Sequence, residues 1–325
     1  MLSLFYEEPD PDRFLPFDRY PRRVLRRIVR GPDRPGGQQR VFINLCAGLR
    51  RLGQPYRVND YRYAQRHPEE PVGIVGKPFV LDKLAWKNPI VFGASTFSHP
   101  VDDPNLMTRS PVRKMLVPGE WVRQMCAPYY GDAVAVWPVG IDTDLWCPQP
   151  EVHKDVDVLV YDKIRWNKTE LAATITDVAM SALERRGLNI HIIRYGHYEE
   201  DDFHRVLSRA RAMLFLCEHE TQGIAYQQAL SSGVPIYAWD RGGVWADPAY
   251  YPDKVSFAPV TSVPYWDDRC GLRFAGIDQF LDEFDLFWHA VERGAYRPRA
   301  YILEHLTLER CAQQYIALFN AATSS

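Results

Sequence analysis

The sequence lacks the patterns that mark disulfide-rich, zinc-binding and membrane-spanning proteins. Its six cysteines are scattered along 325 residues without a C-x-x-C pair. Neither a disulfide framework nor a zinc site is therefore expected, and reduced thiols in the cytoplasm are favoured. No run of eighteen apolar residues occurs and the first residues show no signal-peptide pattern, so we expect no membrane span. The composition, 46% hydrophobic and 25% charged, is typical of a globular chain long enough for two domains.

Net charge is also small, at −2, but it is unevenly distributed. Residues 1–146 contain 21 Lys and Arg against 16 Asp and Glu, whereas the remainder contains 18 against 25. In the basic half, the segment from Arg22 to Arg30 places arginines on one side of a predicted helix and apolar residues on the other. Such a helix could lie on the anionic inner face of a membrane, or it could be a solvated helix with its apolar side on the core.

Short apolar runs alternate with helical patterns along most of the chain, which is typical of parallel α/β sheets. In the first half, candidate strands lie at residues 2–6, 56–58, 72–75, 90–92 and 114–117, and candidate helices at 38–52, 78–86 and 119–126. In the second half, candidate strands lie at 156–161, 189–196, 213–217 and 234–239, and candidate helices at 169–186, 201–212 and 224–232. We expect an N-terminal α/β domain of residues 1–146, a linker at 147–155 and a second α/β domain at 156–300.

The stretch at residues 213–243 is the most informative part of the sequence about function. It contains two predicted strands, and each is followed by a polar loop with glycine, at residues 219–223 and 240–243. In a parallel α/β sheet, ligands bind at the loops that leave the C-terminal ends of strands. The pattern therefore predicts a ligand site at these two loops.

Three other features could contribute to such a site. Gly36 and Gly37 precede a predicted helix and would let backbone N–H groups approach an anion, although such glycines also occur in ordinary turns. Three cations, Lys163, Arg165 and Lys168, follow a strand and precede a helix. This arrangement suits the binding of a diphosphate, and it also occurs in solvated loops. His99 follows another strand and could orient a hydroxyl group or be incidental.

The order and spacing of these features resemble the large family of retaining GT-B glycosyltransferases that includes phosphatidylinositol mannosyltransferase and lipopolysaccharide and capsule transferases. The family signature has a glutamate, a glycine three residues later, a second glutamate after seven intervening residues, then Ala and Gly-x-Pro. Glu220, Gly223, Gln228, Ala229 and the tripeptide 233–235 occupy these positions, with Gln228 in place of the second glutamate. The resemblance implies an α/β, GT-B fold: two Rossmann-like, doubly wound parallel-sheet domains facing a cleft.

The resemblance also implies roles for individual residues. Lys163 and Lys168 occupy the positions of the arginine and the lysine that bind the diphosphate in the family. Glu220 occupies the position of the glutamate that contacts the sugar hydroxyls. Gln228 occupies the position of the glutamate that holds the ribose. Residues 301–325 resemble a C-terminal helix that packs back on the N-terminal domain. The expected catalytic residues are Glu220, Lys163, Lys168 and His99. The expected donor-binding residues are Gly36, Gly37, Lys163, Lys168, Gly196, Glu220, Thr221, Gln222, Gly223, Ile224 and Gln228.

The implied chemistry is the transfer of a sugar from a UDP- or GDP-linked donor to a glycan, lipid-linked or small-molecule acceptor with retention of configuration. No metal is expected, because cations and helix N-termini can neutralise the leaving diphosphate. Neither a further cofactor nor a nucleic-acid partner is expected. Two alternatives stay open: a nucleotide-sugar epimerase or hydrolase of the same fold, and a non-catalytic sugar-nucleotide-binding relative. Gln228 and the lysine in place of arginine motivate the second alternative.

Overall fold

The structure is a computed structural model that describes residues 1–9, 36–94 and 97–322. The predicted basic helix at Arg22–Arg30, and with it the expected membrane contact, lies outside these residues. Over the described ranges, no helix is both long enough and apolar enough to cross a bilayer. The described residues belong to two compact units, one within Met1–Val117, Cys126–Trp137 and Ala312–Ser325, and the other within Pro118–Met125 and Pro138–Cys311.

The first unit is built on a parallel sheet. Its strands are β1 (Leu2–Phe5), β2 (Tyr56–Val58), β3 (Val72–Ile74), β4 (Ile90–Gly93), β5 (Val112–Val117) and β6 (Val134–Val136). The helices along this part of the chain are α1 (Gly37–Arg51), α2 (Tyr61–Arg66), α3 (Leu106–Arg109) and α4 (Glu120–Tyr130). The strand order is β2-β1-β3-β4-β5-β6, with all neighbours parallel. Every residue of β1, β3 and β4 is buried, as expected for strands covered on both faces.

One predicted helix of this unit is shorter and tighter than the sequence pattern indicates. The candidate at residues 78–86 is a 3₁₀ helix at Pro78–Lys83, and Leu84 after it is extended. The Trp86 indole donates a hydrogen bond to the Val80 carbonyl at 3.2 Å. That carbonyl would accept from Leu84 in an α-helix, so the tryptophan takes the place of the next helical turn.

The second unit contains the other parallel sheet. Its strands are β7 (Val156–Asp162), β8 (Ile190–Arg194), β9 (Ala210–Leu216), β10 (Ile236–Trp239) and β11 (Gly271–Phe274). The helices from residue 168 onward are α5 (Lys168–Leu171), α6 (Asp177–Arg185), α7 (Glu200–Arg209), α8 (Ile224–Ser231), α9 (Ile277–Glu292), α10 (Pro298–His305) and α11 (Leu308–Ala321), with a π-helical turn at Ala172–Thr176 between α5 and α6. The strand order is β11-β10-β9-β7-β8, again with all neighbours parallel.

Both faces of this second sheet are buried because its central strands alternate between two apolar clusters. In β7, Leu159 and Tyr161 pack into one cluster, which also contains Tyr226 of α8. Val158 and Val160 pack into the opposite cluster, which includes aromatic residues of α9. Continuous apolar strands are what a doubly covered parallel sheet requires. The predicted α/β class with two parallel sheets is therefore confirmed.

The C-terminal segment differs from the single helix that the resemblance implies. It forms α10 and α11, which are separated at Leu306 and Thr307. The Leu306 carbonyl accepts a hydrogen bond from the Ile141 N–H at 2.8 Å, and Thr307 forms an isolated parallel bridge with Ile141. Gly140 permits this approach, because a Cβ atom there would lie 2.6 Å from the Leu308 Cα. Pairing with residues 140–141 therefore breaks the helix.

Candidate functional site

The carboxyl ends of β7 and β9 are adjacent, which brings their exit loops together. Asp162 at the end of β7 is in register with Leu216 at the end of β9. The Lys163 backbone N–H donates to the Leu216 carbonyl at 2.8 Å. Lys163 therefore begins its loop beside the segment that carries Glu220, as expected for residues at one edge of a parallel sheet.

The ammonium group of Lys163 forms an ion pair with the Glu220 carboxylate. Both side chains are largely enclosed, with 14% and 9% of their surface exposed. Burial lowers the pKa of Lys163, but the surrounding groups, of which the Glu220 carboxylate is foremost, raise it, and the net shift of the pKa is upward. The lysine is therefore a cation at neutral pH. Its Nζ also lies 4.4 Å from the centre of the Tyr195 ring, within the range of a cation–π contact.

The backbone of Glu220 is fixed from two sides. Its carbonyl accepts a hydrogen bond from the Trp121 indole at 2.8 Å, and its N–H donates to the Thr261 carbonyl at 2.9 Å. The Cys217 thiol lies 3.7 Å from Glu220 Oε1. These contacts hold the carboxylate of Glu220 in a defined place.

Glu218 fixes the loop at residues 163–168, and the sequence did not single it out. It is buried, and its Oε1 accepts hydrogen bonds from the backbone N–H groups of Arg165 and Trp166 at 2.8 and 2.9 Å. Its Oε2 is buried and has no hydrogen bond, although it lies 3.9 Å from Arg165 Nε. A buried carboxylate that accepts two backbone N–H groups orders the loop that supplies them. An acidic residue directly after an apolar strand is the sequence signal that could have revealed it.

Lys168 and Gly196 lie on the solvent side of this region. Lys168 is the first residue of α5 and is exposed. In the described part of the chain, its ammonium group has no ion pair or hydrogen bond. Gly196, two residues after β8, adopts φ +82° with no atom within 4 Å of a Cβ placed on it. Both residues are accessible to a ligand.

The loop before α8 places a helix N-terminus beside Glu220. Gly223 caps the helix at φ +78°, and a Cβ atom there would lie 2.0 Å from the Tyr226 ring. Ile224 is the first helical residue and packs partly against the core. Thr221 is half-buried, and its hydroxyl makes no hydrogen bond with a described residue. The first N–H groups of a helix lack intrahelical acceptors, so the start of α8 can donate to an anion or hydroxyl.

Gln222 is engaged within the protein. Its Oε1 accepts from the Val139 N–H at 3.0 Å, and its Nε2 donates to Gln227 Oε1 at 2.9 Å. Gln227 in turn donates from Nε2 to the Gln222 carbonyl at 2.6 Å. The side chains of Gln222, Gln227 and Val139 are all buried. In this arrangement Gln222 holds the loop against the backbone of Val139.

Gln228 differs from its neighbours because its amide group is not used by the described residues. The side chain is 7% exposed and makes no hydrogen bond with them. Its backbone carbonyl accepts from the N–H and the hydroxyl of Ser232, at 3.0 and 2.9 Å. The amide is thus available to a ligand.

His219 lies between Glu218 and Glu220 and is surrounded by tryptophans. Its ring centroid is 5.5, 5.0 and 6.4 Å from those of Trp121, Trp166 and Trp245. Burial first, and then neighbouring cations of which Arg165 is foremost, lower the pKa of His219 to about 3. The imidazole is therefore neutral at physiological pH.

The first unit contains the remaining predicted site residues. Gly36 caps α1, and a Cβ atom placed on either Gly36 or Gly37 would have no neighbour within 4 Å. His99 Nδ1 accepts from the Val101 N–H at 3.0 Å, and its ring lies 5.5 Å from that of Tyr129. Burial lowers the pKa of His99. In this structure His99 caps the 3₁₀ turn that begins at Pro100.

No family model matches the sequence. No curated protein matches it either. Solved structures do match: AviGT4, a glycosyltransferase involved in avilamycin A biosynthesis, has 14% identity and a TM-score of 0.61 over 100% of this chain and 98% of its own. Sucrose-phosphate synthase from Thermosynechococcus elongatus has 12% identity and a TM-score of 0.56 over 99% of each chain. The pneumococcal O-GlcNAc transferase GtfA, in complex with UDP and GlcNAc, has 13% identity and a TM-score of 0.53 over 81% of this chain and 60% of its own.

These similarities concern the fold, because the identities are far below the level at which activity is shared. Two parallel sheets of six and five strands agree with the GT-B architecture that the sequence predicted. The chain therefore has the GT-B fold of these glycosyltransferases.

Proposed function

We propose that this protein is a glycosyltransferase that moves a sugar from a nucleotide-diphosphate sugar to an acceptor hydroxyl with retention of configuration. The Lys163–Glu220 ion pair carries the proposal, because it joins a cation suited to a diphosphate with a carboxylate suited to sugar hydroxyls. The pair lies at the carboxyl ends of adjacent parallel strands, where α/β proteins bind ligands. The GT-B fold, shared with proteins that include a UDP-bound transferase, supports it further.

Each part of the site has a place in donor binding. Lys163 and the unpaired Lys168 contact the diphosphate, and the start of α8 donates N–H groups to it. Glu220 accepts from the sugar hydroxyls. The amide of Gln228 binds the ribose diol, because it can both donate and accept.

The reaction requires charge stabilisation at the diphosphate. As the bond from the anomeric carbon to the phosphate oxygen breaks, Lys163 and Lys168 stabilise the negative charge that develops there. The acceptor oxygen then forms its bond to the anomeric carbon on the same face, and its proton passes to the departing phosphate oxygen. Because the Lys163 ammonium is already held by Glu220, little reorganisation is needed when the donor binds.

Binding and turnover assays separate this function from its alternatives. In the binding assay, the protein is titrated with UDP, GDP and ADP by calorimetry. In the turnover assay, release of the nucleoside diphosphate from the corresponding nucleotide sugars is followed with and without hydroxyl acceptors. Acceptor-dependent release, with an unchanged anomeric configuration in the NMR spectrum of the product, is expected. Release without an acceptor would indicate a hydrolase. Binding of no nucleotide would exclude a transferase.

Lys168→Met tests the diphosphate assignment. We expect the affinity for the preferred nucleoside diphosphate to fall about 10- to 100-fold, because a charge-assisted contact is lost. The free energy of unfolding should not change, since the ammonium group has no partner among the described residues. The matched control is Lys87→Met, an exposed lysine of the first unit. Equal affinities of the Lys168→Met protein and the control would refute the assignment.

A further inference from the structure

Arg241 is a partly buried cation without a carboxylate partner. It lies in the loop after β10, and its guanidinium is 6.0 Å from the centre of the Trp239 ring. Its Nε is buried without a hydrogen bond, while its terminal nitrogens reach solvent. Across the residues that the structure describes, no ion pair or hydrogen bond involves this side chain. A buried donor without an acceptor is costly, and the terminal nitrogens that reach solvent are open to an anion.

The neighbouring carboxylate is committed elsewhere. Asp240 Oδ2 accepts from the Thr261 hydroxyl at 2.9 Å, and Oδ1 accepts from the Ser262 N–H at 2.8 Å. Arg273 donates to Oδ2 at 3.3 Å. Asp240 therefore already has three donors, one of which, Arg273, is a cation. The charge of Arg241 is left uncompensated.

The loop that carries Arg241 is fixed and borders the Glu220 region. The Asp240 N–H donates to the Phe274 carbonyl at 2.8 Å, and the Gly243 carbonyl accepts from the Val260 N–H at 3.1 Å. Trp239 at the end of β10 is in register with Leu216 at the end of β9. Arg241 and Glu220 thus follow adjacent parallel strands and emerge at the same edge of the sheet.

The other partly buried cations of this region have anionic neighbours, which distinguishes Arg241 from them, and the unpaired Lys168 is exposed. Lys163 is paired with Glu220, and Arg165 Nε lies 3.9 Å from Glu218 Oε2. His219 between these loops is neutral, because burial and the surrounding cations, Arg241 among them, lower its pKa to about 3. With Lys163 and Lys168 assigned to the diphosphate, Arg241 is therefore a further cation at this edge of the sheet that can receive a second anion.

We propose that Arg241 is a specificity-determining residue that binds an oxyanion, a carboxylate or a phosphate, on the sugar part of the substrate. This inference rests on the proposed glycosyltransferase function and adds a substrate class to it. The planar guanidinium of an arginine suits a carboxylate or phosphate because it donates two parallel hydrogen bonds. The oxyanion belongs to a uronate donor sugar or to a phosphorylated acceptor.

Two binding arms test the proposal and separate these sources. In the donor arm, calorimetry compares UDP-glucose with UDP-glucuronate, or GDP-mannose with GDP-mannuronate if the protein prefers GDP. In the acceptor arm, the protein saturated with its preferred nucleoside diphosphate is titrated with glucose and with glucose 6-phosphate. We expect the anionic member of one arm to bind at least about 10-fold more tightly than the neutral member.

The variants Arg241→Met and Arg241→Lys show whether this preference depends on the guanidinium. Arg241→Met should abolish the preference while leaving the affinity for the neutral member and for the bare nucleotide unchanged. Arg241→Lys should retain part of it, because the charge remains without the two parallel donors. Arg186→Met is the matched control, since that arginine is ion-paired with Asp285 elsewhere on the unit.

Three results would overturn the inference: equal binding of both members in both arms, absence of sugar binding in both arms, or a preference that survives in Arg241→Met. In each case, intact binding of the nucleoside diphosphate would leave the proposed function standing. Failure to bind any nucleoside diphosphate would contradict the proposed function itself.

Discussion

Glu218 and Glu220 are two residues apart after the same strand, yet they have different environments. Glu220 is paired with a lysine. Glu218 accepts backbone N–H groups and orders the neighbouring loop. The spacing of the family signature predicted Glu220, but it contains no information on Glu218, whose partners lie more than fifty residues earlier in the chain. A single sequence does not reveal which carboxylate will meet a distant backbone.

Glu218→Gln should weaken both the fold and the site. The amide nitrogen of glutamine would lie either beside the backbone N–H groups of Arg165 and Trp166 or beside Arg165 Nε. In both cases a hydrogen-bond donor would replace the carboxylate oxygen next to another donor. We expect the free energy of unfolding in urea to fall by about 1–3 kcal/mol. Glu170→Gln, on an exposed glutamate of α5, is the control. If the two variants unfold at the same urea concentration as the wild type, Glu218 does not hold this loop.

His219 should make stability depend on pH. Its pKa is about 3 in the folded chain, against 6.5 for a free histidine. Between these values the unfolded state binds the proton and the folded state does not, so stability is full above pH 6.5 and falls as the pH drops towards 3. On acidification from pH 8 to pH 5, the free energy of unfolding should therefore fall by about 2 kcal/mol more in the wild type than in His219→Gln.

The measurement is urea unfolding of the wild type and His219→Gln at both pH values. The variant is expected to be less stable at pH 8, because it loses the ring contacts with three tryptophans. The informative quantity is the change between the two pH values, since the other histidines contribute equally to both proteins. Parallel losses on acidification would show that His219 titrates normally in the fold.

At the scale of elements, the strands were more predictable than the helices. Apolar runs identified the central strands β7 and β9 because both faces of a parallel strand are covered. The break between α10 and α11 could not be predicted in the same way. It results from pairing of Leu306 and Thr307 with Ile141, far away in the sequence. No strand was predicted at β11, which has only four residues, two of them partly exposed or exposed.

Gly223 should be essential to the start of α8. It adopts φ +78°, and a Cβ atom would lie 2.0 Å from the Tyr226 ring. That ring cannot withdraw easily, because it is buried and its hydroxyl accepts from the Tyr265 N–H at 3.0 Å. Gly223→Ala should therefore lower the free energy of unfolding by about 3 kcal/mol or more, from backbone strain and overpacking together.

Gly187→Ala separates these two contributions. Gly187 has a similar φ of +70°, but no atom lies within 4 Å of its Cβ position. Alanine there should cost only the strain of the left-handed backbone, about 1–2 kcal/mol. Chemical denaturation of both variants gives the difference. Equal losses would mean that the Tyr226 ring moves aside without cost.

At the scale of the whole molecule, the candidate site is supplied with cations by its own side chains. The expectation that no metal is needed leads to a direct test. Excess EDTA should leave the dissociation constant of the preferred nucleoside diphosphate unchanged within about twofold, because Lys163, Lys168 and the start of α8 provide the positive charge. A tenfold weakening that Mg²⁺ reverses would contradict this.

The EDTA experiment needs a control for metal bound elsewhere, and the described ranges contain one candidate cation site. Ligand atoms of His67, Glu69 and Glu70 lie within 4.8 Å of one another, and this group belongs to the first unit. The variant His67→Gln should leave nucleotide binding unchanged with or without EDTA. An effect of EDTA that this variant abolishes would locate the metal there.

The sequence predicted the fold class. The structure has Lys163, Lys168, Glu220 and Gln228 after the strands and in the helix where the local pattern put them, and their roles stay predictions. Local patterns did not single out Trp121 and Arg241. The contact of Trp121 with the Glu220 carbonyl spans 99 positions, and the importance of Arg241 depends on the partners of Asp240. Both follow from tertiary structure alone.

The contribution of Trp121 has a consequence for protein engineering. Residues 118–125 belong to the second unit although they precede its main segment, which begins at Pro138. A chimera that joins residues 147–325 of this chain to the first half of another GT-B protein would transplant Glu220 without the indole that anchors its carbonyl. The Tyr265 hydroxyl would likewise lose the Pro118 carbonyl to which it donates. The second unit is discontinuous in sequence, and a successful exchange must carry residues 118–125 with it.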